Sequence, residues 1–256
     1  MSEYLLAEVP TVIKIGGSIG AQRSGTLNDI AFLHQQLGFP LVVVHGGGPE
    51  IDAALKEKNI EPQKIDGQRV TDSKTLSVVV SVLNGINQQI VTVLQEQGDL
   101  VSPYIFDSGL LQGKIRDPRL GFVGSISEVR SHILILDMER RSLPVVTPIA
   151  AMEGNQGQAL NINGDIAAGA IAASLGANLI LVTDVCGVMD RDGKLVKQMS
   201  KELYQQMLQE GDITAGMLPK LEAAFMATNS QAVVAICAAS DLLSFFVSKP
   251  KGTMVF

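Results

Sequence analysis

Two lysines, two glycine loops and one aspartate are the residues of this chain whose types and settings could do chemistry. Lys14 stands at the end of one apolar stretch (11–13) and leads into Gly16-Gly17-Ser18. His45-Gly46-Gly47-Gly48-Pro49 follows the next stretch, 41–44. Both stretches are short and β-branched, as buried strands are. Glycines directly after a buried strand let the backbone approach a ligand and turn its N–H groups toward an anion. Lys14 adds a positive charge beside the first loop. Two such loops on adjacent strands form a layout for phosphate chemistry. The second lysine, Lys220, follows Gly216 and enters a helix near its start. A helix N-terminus already carries partial positive charge, so a cation there is poorly placed unless an anion lies nearby.

Three further segments are candidates. In Asn161-Ile162-Asn163-Gly164-Asp165, alternation sends Asn161 and Asn163 to the same side, and Asp165 opens a helix of small residues. An Asn-Gly-Asp turn with a helix cap explains the same residues, and capping does not exclude ligand contact. Arg69 lies between a hairpin-like stretch and a helix start. An arginine there suits a carboxylate, although a solvated surface arginine is the commoner fate. Thr183-Asp184 ends an apolar stretch, and ligands bind at the carboxyl ends of parallel strands.

These residues must be positioned by alternating strands and helices. Helices are expected at 27–37, 50–58, 73–97 (capped by Thr71 or Asp72), 165–175, 201–209 and 218–227. Strands are expected at 11–13, 41–44, 143–147, 178–182, 232–236 and 253–256. A polar hairpin is expected at 62–70, and a β-hairpin excursion on the sheet's rim at 104–127. Such alternation implies an α/β fold: a three-layer αβα sandwich on a mainly parallel central sheet. A soft boundary near Gly176 divides one continuous domain into lobes 1–176 and 177–256.

The bulk properties narrow the class. The chain has 256 residues and net charge −6. No basic stripe is visible, which argues against nucleic acid as a partner. No charged leader with an apolar core is seen, and no apolar run reaches the roughly 20 residues of a membrane span. Cys186 and Cys237 are too few for a disulfide framework or a zinc site and are expected to be small buried hydrophobes. A cytoplasmic protein is the expectation.

Taken together the segments resemble the amino acid kinase family, and within it the acetylglutamate branch. The matching stretches are Lys-Ile-Gly-Gly-Ser at 14–18, Val-His-Gly-Gly-Gly at 44–48, Gly-Gln-Arg-Val-Thr at 67–71, Asn-Ile-Asn-Gly-Asp at 161–165, Thr-Asp-Val-Cys-Gly-Val at 183–188 and Ile-Thr-Ala-Gly-Met-Leu-Pro-Lys at 213–220. The resemblance implies a carbamate kinase-like fold, with an acceptor lobe followed by a nucleotide lobe. It implies ATP-dependent phosphorylation of the side-chain carboxylate of N-acetyl-L-glutamate in arginine biosynthesis. Lys14 and Lys220 would stabilise the transferring phosphoryl group, and Asp165 would orient them. Gly16, Gly17 and Gly47 would donate N–H bonds to phosphates. Gly46, Gly47, Gly48, Arg69, Asn161 and Asn163 would hold the acyl amino acid. Thr183, Asp184 and Gly216 would line the nucleotide.

Mg2+ would bridge the ATP phosphates with few direct protein ligands, and no protein metal site is expected. The attacking carboxylate is already ionised at pH 7, so no catalytic base is needed. A homodimer without strong arginine feedback is expected from the short leader before Lys14. Asn87-Gln88, Phe106-Asp107-Ser108-Gly109 and a short 103–123 segment depart from the branch pattern. They leave open a carrier-protein-linked aminoadipate or glutamate as acceptor, with Lys64, Lys74, Lys114, Arg116 and Arg119 as a docking rim. A nonenzymatic amino-acid or nucleotide sensor on the same fold is the remaining alternative.

Overall fold

The computed structural model describes residues 9–16, 21–65, 67–229, 232–246 and 250–256, with 21–24 described by backbone alone. Gly17 and Ser18 of the first loop therefore lie outside the described residues. The first half runs β1 (Thr11–Ile15), α1 (Ala21–Gln35), β2 (Leu41–His45), α2 (Gly48–Glu57), β3 (Lys64–Ile65), β4 (Gln68–Arg69), α3 (Ser73–Glu96), β5 (Val101–Tyr104), β6 (Leu111–Ile115), β7 (Gly124–Val129) and α4 (Ser131–Glu139). The second half runs β8 (Leu143–Val146), β9 (Ile149–Met152), β10 (Asn155–Asn161), α5 (Gly164–Leu175), β11 (Asn178–Thr183), β12 (Gln198–Met199), α6 (Lys201–Glu210), α7 (Leu218–Ala227), β13 (Val234–Ala238) and β14 (Thr253–Val255).

Eight strands form one sheet in the order β12-β14-β13-β11-β1-β2-β8-β5. Its pairings are parallel except β13 with β14. Alternation along the buried strands splits the core into two layers. Ile13, Val43, Val145 and Ile180 pack on one face with α1 and α3. Val12, Val44, Val146 and Leu181 pack on the other with α5 and α7. Both sheet faces are thus covered, as near-continuous apolar strands require. The αβα sandwich expected from the sequence is the observed fold.

Asp72 caps α3, its carboxylate accepting from Thr75 N at 2.7 Å. By length and composition α3 could cross a membrane. Here it lays Leu76, Val79, Leu83, Ile86, Ile90 and Leu94 into the core. The 62–70 segment forms the small β3–β4 hairpin.

Two expectations are corrected. The 104–127 excursion is not a single rim hairpin. Tyr104 ends β5 of the central sheet, while β6 and β7 join β9 and β10 in a separate four-stranded sheet, order β10-β9-β6-β7. That sheet forms because Leu111, Ala150 and Leu160 share an apolar layer with α5, a contact between distant segments. Cys186 is exposed rather than buried; only Cys237 lies in the core, where burial pushes its thiol up to about 12.

Candidate active site

The site lies where the central parallel strands end. β1 carries the buried Lys14 near its carboxyl end, and the neighbouring β2 leads into Gly46, Gly47 and Gly48. Gly164 stands between them: a Cβ there would lie 3.5 Å from Lys14 Cε and 3.7 Å from Gly46 Cα. Asp165 opens α5. Asn163 caps that helix, its Oδ1 accepting from Asp165 N at 2.8 Å and Ile166 N at 3.2 Å. The cap fixes the helix start, and a carboxylate in the first turn is favoured by the helix dipole.

Lys14 Nζ lies 2.9 Å from Asp165 Oδ1. Lys220 Nζ lies 3.0 Å from Oδ2 and 3.2 Å from Oδ1. Lys220 is in the first turn of α7, so the anion that its awkward placement demanded is Asp165. Burial works to raise the Asp165 pKa, but the two ammonium groups outweigh it and hold the carboxyl below its ordinary range. Burial and the neighbouring Lys14 lower the Lys220 pKa, against the pull of Asp165 and Asp184. One carboxylate thus gathers two cations from distant parts of the chain in a largely buried setting.

Two cavities meet at this cluster. One, of about 290 Å³, is lined by Lys14, Gly46, Gly47, Gly48, Arg69, Asn161, Asn163 and Asp165. The other, of about 390 Å³, is lined by Lys14, Gly16, Thr183, Asp184, Gly216 and Lys220. Lys14 borders both. The described sequence candidates therefore divide between two adjoining cavities, with the lysine–aspartate cluster at their junction.

Arg69 is not a solvated surface residue. Its side chain is 9% exposed and pairs with Asp52, and its Nη2 donates to Gly48 O at 3.2 Å. Lys64 lies 3.5 Å from the same aspartate. Burial opposes ionisation of Asp52, but the Arg69 bond prevails and lowers its pKa. Asp52 was not a sequence candidate. Its place four residues after Gly48 on α2 was the available signal, since such spacing returns to the same helix face. Asn161 donates from Nδ2 to Thr71 Oγ1 at 3.1 Å, which turns its amide along the cavity wall. Leu83 and Pro148 also line the first cavity and Met217 the second; nothing polar marked them in the sequence.

The proposed docking rim is largely neutralised. Lys114 pairs with Glu153 at 3.2 Å, Arg116 with Glu222 at 3.4 Å and Arg119 with Asp117 at 2.6 Å. No group of three or more His, Cys, Asp or Glu that could hold a metal ion occurs among the described residues.

The arrangement can hold an anion in each cavity and neutralise charge that passes between them. That is the requirement of phosphoryl transfer, which depends on positioning and charge stabilisation more than on covalent chemistry.

Comparison with known proteins gives the same direction. The family described as "Amino acid kinase family" matches residues 10–238. Acetylglutamate kinase of Geobacillus thermodenitrificans (strain NG80-2) is 40% identical over 224 residues, 86% of this chain and 86% of that one. Acetylglutamate kinase of Ruegeria sp. (strain TM1040) is 38% identical over 257 residues, 95% of this chain and 88% of that one. Among solved structures, carbamate kinase from Giardia lamblia bound to citric acid matches with TM-score 0.72 at 14% identity, covering 97% of this chain and 98% of that one, a likeness of fold.

Proposed function

Because this chain belongs to the amino acid kinase family, we propose that its two cavities hold the two substrates of one phosphoryl transfer. The protein is an ATP-dependent kinase that phosphorylates the side-chain carboxylate of N-acetyl-L-glutamate in arginine biosynthesis. The observation that carries the site assignment is the Lys14–Asp165–Lys220 cluster at the junction of the cavities.

The acceptor occupies the cavity of the glycine loop, in the lobe 1–176. Arg69 and Asn161 hold its α-carboxylate end, Asn163 lines the same cavity, and Gly46, Gly47 and Gly48 receive the side-chain carboxylate. ATP occupies the other cavity, along the lobe 177–256, against Gly16, Thr183, Asp184 and Gly216; Gly17 belongs to the same loop in sequence. The carboxylate attacks as the anion it already is at pH 7. Lys14 and Lys220 face the charge that spreads over the phosphoryl oxygens, and Asp165 keeps both ammonium groups in place. Preorganised charges in a dry site need no reorganisation at the moment of reaction.

Asp165 gives both oxygens to lysines, so Mg2+ would be held chiefly by phosphate oxygens and water, with Asp184 the carboxylate bordering that side. The ion supplies neutralisation of the phosphate charge when bound. A homodimer working in the cytoplasm completes the proposal.

The test is ATP consumption with a panel of N-acylated and free acidic amino acids, with hydroxylamine trapping the acyl phosphate. Hydroxamate from N-acetyl-L-glutamate is the expected result. Hydroxamate only from another member of the panel would reassign the acceptor, and none from any member would overturn the kinase reading.

A further inference from the structure

We propose that His45 is a positioning residue that sets the direction of the Gly47 N–H, and that Asn87 dictates how it does so. The proposal rests on the reading of the glycine loop as the place where transferring charge is received.

His45 ends β2 and is fully buried. Contacts of His45 and of its neighbour Asn87 make its orientation deducible. Asn87, also fully buried on α3, places its Nδ2 3.0 Å from Val145 O. A carbonyl oxygen only accepts, so that atom must be the amide nitrogen and not the oxygen. The same Nδ2 lies 3.4 Å from His45 Nε2. A donor facing Nε2 requires a lone pair there. Thr147 Oγ1 lies 3.3 Å from the same nitrogen. Nδ1 lies 3.0 Å from Gly46 O, which only accepts, so Nδ1 carries a proton and donates to it.

This bond turns the peptide between Gly46 and Gly47. In a trans peptide the C=O and the next N–H point in opposite directions. With Gly46 O drawn back onto the buried imidazole, the Gly47 N–H is directed away from it. The other flanks are also tied. Gly46 N donates to Ile15 O at 3.1 Å, and Gly47 O accepts from Ile51 N at 2.9 Å. Gly47 lies against α3, where a Cβ would meet Leu83 Cδ2 at 2.6 Å and Ile86 Cδ1 at 2.7 Å. The exit left for its N–H is the cavity that Gly46, Gly47 and Gly48 line. The chain of orientation thus runs from Val145 O through Asn87 and His45 to a backbone donor at the reacting end of the acceptor. A donor so aimed is preorganised for developing negative charge.

Two isosteres separate this role from mere packing. Asn places a side-chain nitrogen as far from Cβ as His Nδ1, whereas Gln places one as far as Nε2. His45→Asn should keep the bond to Gly46 O and lose the contacts to Asn87 and Thr147. His45→Gln should do the opposite. We expect kcat of His45→Asn within about tenfold of the parent and that of His45→Gln lower by about 100-fold, the scale of losing one oxyanion-type donor, with KM for ATP unmoved in both.

A second readout does not depend on turnover. The ¹⁵N–¹H signal of Gly47 should shift on addition of Mg2+ and β,γ-imido-ATP together with N-acetyl-L-glutamate in the parent and in His45→Asn, and stay in place in His45→Gln. Equal responses of Gly47 in all three proteins, or a higher kcat in His45→Gln than in His45→Asn, would overturn the proposal. If the parent makes no hydroxamate while Gly47 responds in this order, the kinase reading fails and the positioning role stands.

Discussion

Lys220 Nζ lies 3.0 Å from Asp165 Oδ2, across 55 positions of sequence, on the same carboxylate whose other oxygen is taken by Lys14. Asp165 is the only anion among these three groups, so its charge decides whether two ammonium groups can share a dry junction. Asp165→Asn keeps the shape and removes the charge. Breaking a buried pair from one side costs about 3–5 kcal/mol because the remaining charge is left uncompensated. We expect a lower urea midpoint corresponding to a loss of about 3 kcal/mol, and a kcat reduced at least about 100-fold in the hydroxamate assay. An unchanged midpoint would mean that the lysines hold their places without it.

The same cluster sets a pH dependence on both limbs. Asp165 has a folded pKa below its ordinary value. Its contribution to stability is complete above about pH 4 and is lost as pH falls through the lower folded value, because the unfolded state takes up the proton first. Lys220 is also lowered, by burial and by Lys14. On the alkaline side the native protein sheds this proton first, so the group adds a rise of stability with pH between its folded value and about 10.4. Urea midpoints measured across pH should therefore show an acid limb that flattens in Asp165→Asn. The rising alkaline term should be missing in Lys220→Met.

Arg69 acts through a fork. One branch pairs with Asp52 and the other reaches Gly48 O at 3.2 Å, so hairpin β3–β4 is tied to the start of α2 over the acceptor cavity. Lysine carries the charge without the fork. Arg69→Lys should raise KM for N-acetyl-L-glutamate by about 10- to 100-fold, the size of a lost charge-assisted hydrogen bond. KM for ATP should not move. Initial-rate kinetics with each substrate varied in turn distinguish this from a general loss of activity.

What was legible in the sequence follows from what each contact depends on. The central strands could be read because buried parallel strands are short runs of β-branched residues, as in Leu41–His45. Lys14 and Lys220 could be read because each sits at a strand or helix end, and Lys220 at a helix start needs an anion nearby; that Asp165 is that anion came from the resemblance to the family. The second sheet could not. Gly113 lies within β6 and Gly124 opens β7, and a Cβ on them would meet Ser125 O and Leu160, contacts that exist only once the chain has folded back. Helix Ser131–Glu139 was missed because Ile133, Leu134, Ile135 and Leu136 run consecutively and only Leu134 is buried, so no helical period appears. The His45–Thr147 bond spans 102 positions, and a lone threonine after a strand gives no sign of it. Cys186 was misjudged because composition says nothing of exposure; it lies in the loop after Thr183 and Asp184.

Gly169 holds the two helices of the cluster at their working distance. It lies one turn beyond Asp165 on α5, and Ala223 lies one turn beyond Lys220 on α7, so each shares a face with its charged residue. A Cβ on Gly169 would stand 2.6 Å from Ala223 O and 2.9 Å from Ala223 Cα. These are backbone atoms, which cannot rotate aside as a side-chain end could. Gly169→Ala must therefore push α7 away from α5, and with it Lys220 from Asp165. Overpacking of this kind costs about 1–3 kcal/mol, so the melting temperature should fall. KM for N-acetyl-L-glutamate should stay near the parent value, because Arg69 and the glycine loop belong to other elements. The larger effect should be on kcat, which depends on the lysine–aspartate spacing. Gly176→Ala is the control: it lies at the C-cap of the same helix with no heavy atom near the added carbon. Its positive φ of 60° makes alanine strained there, so it should lower stability while leaving kcat unchanged. Equal kcat losses in the two variants would refute the spacing argument.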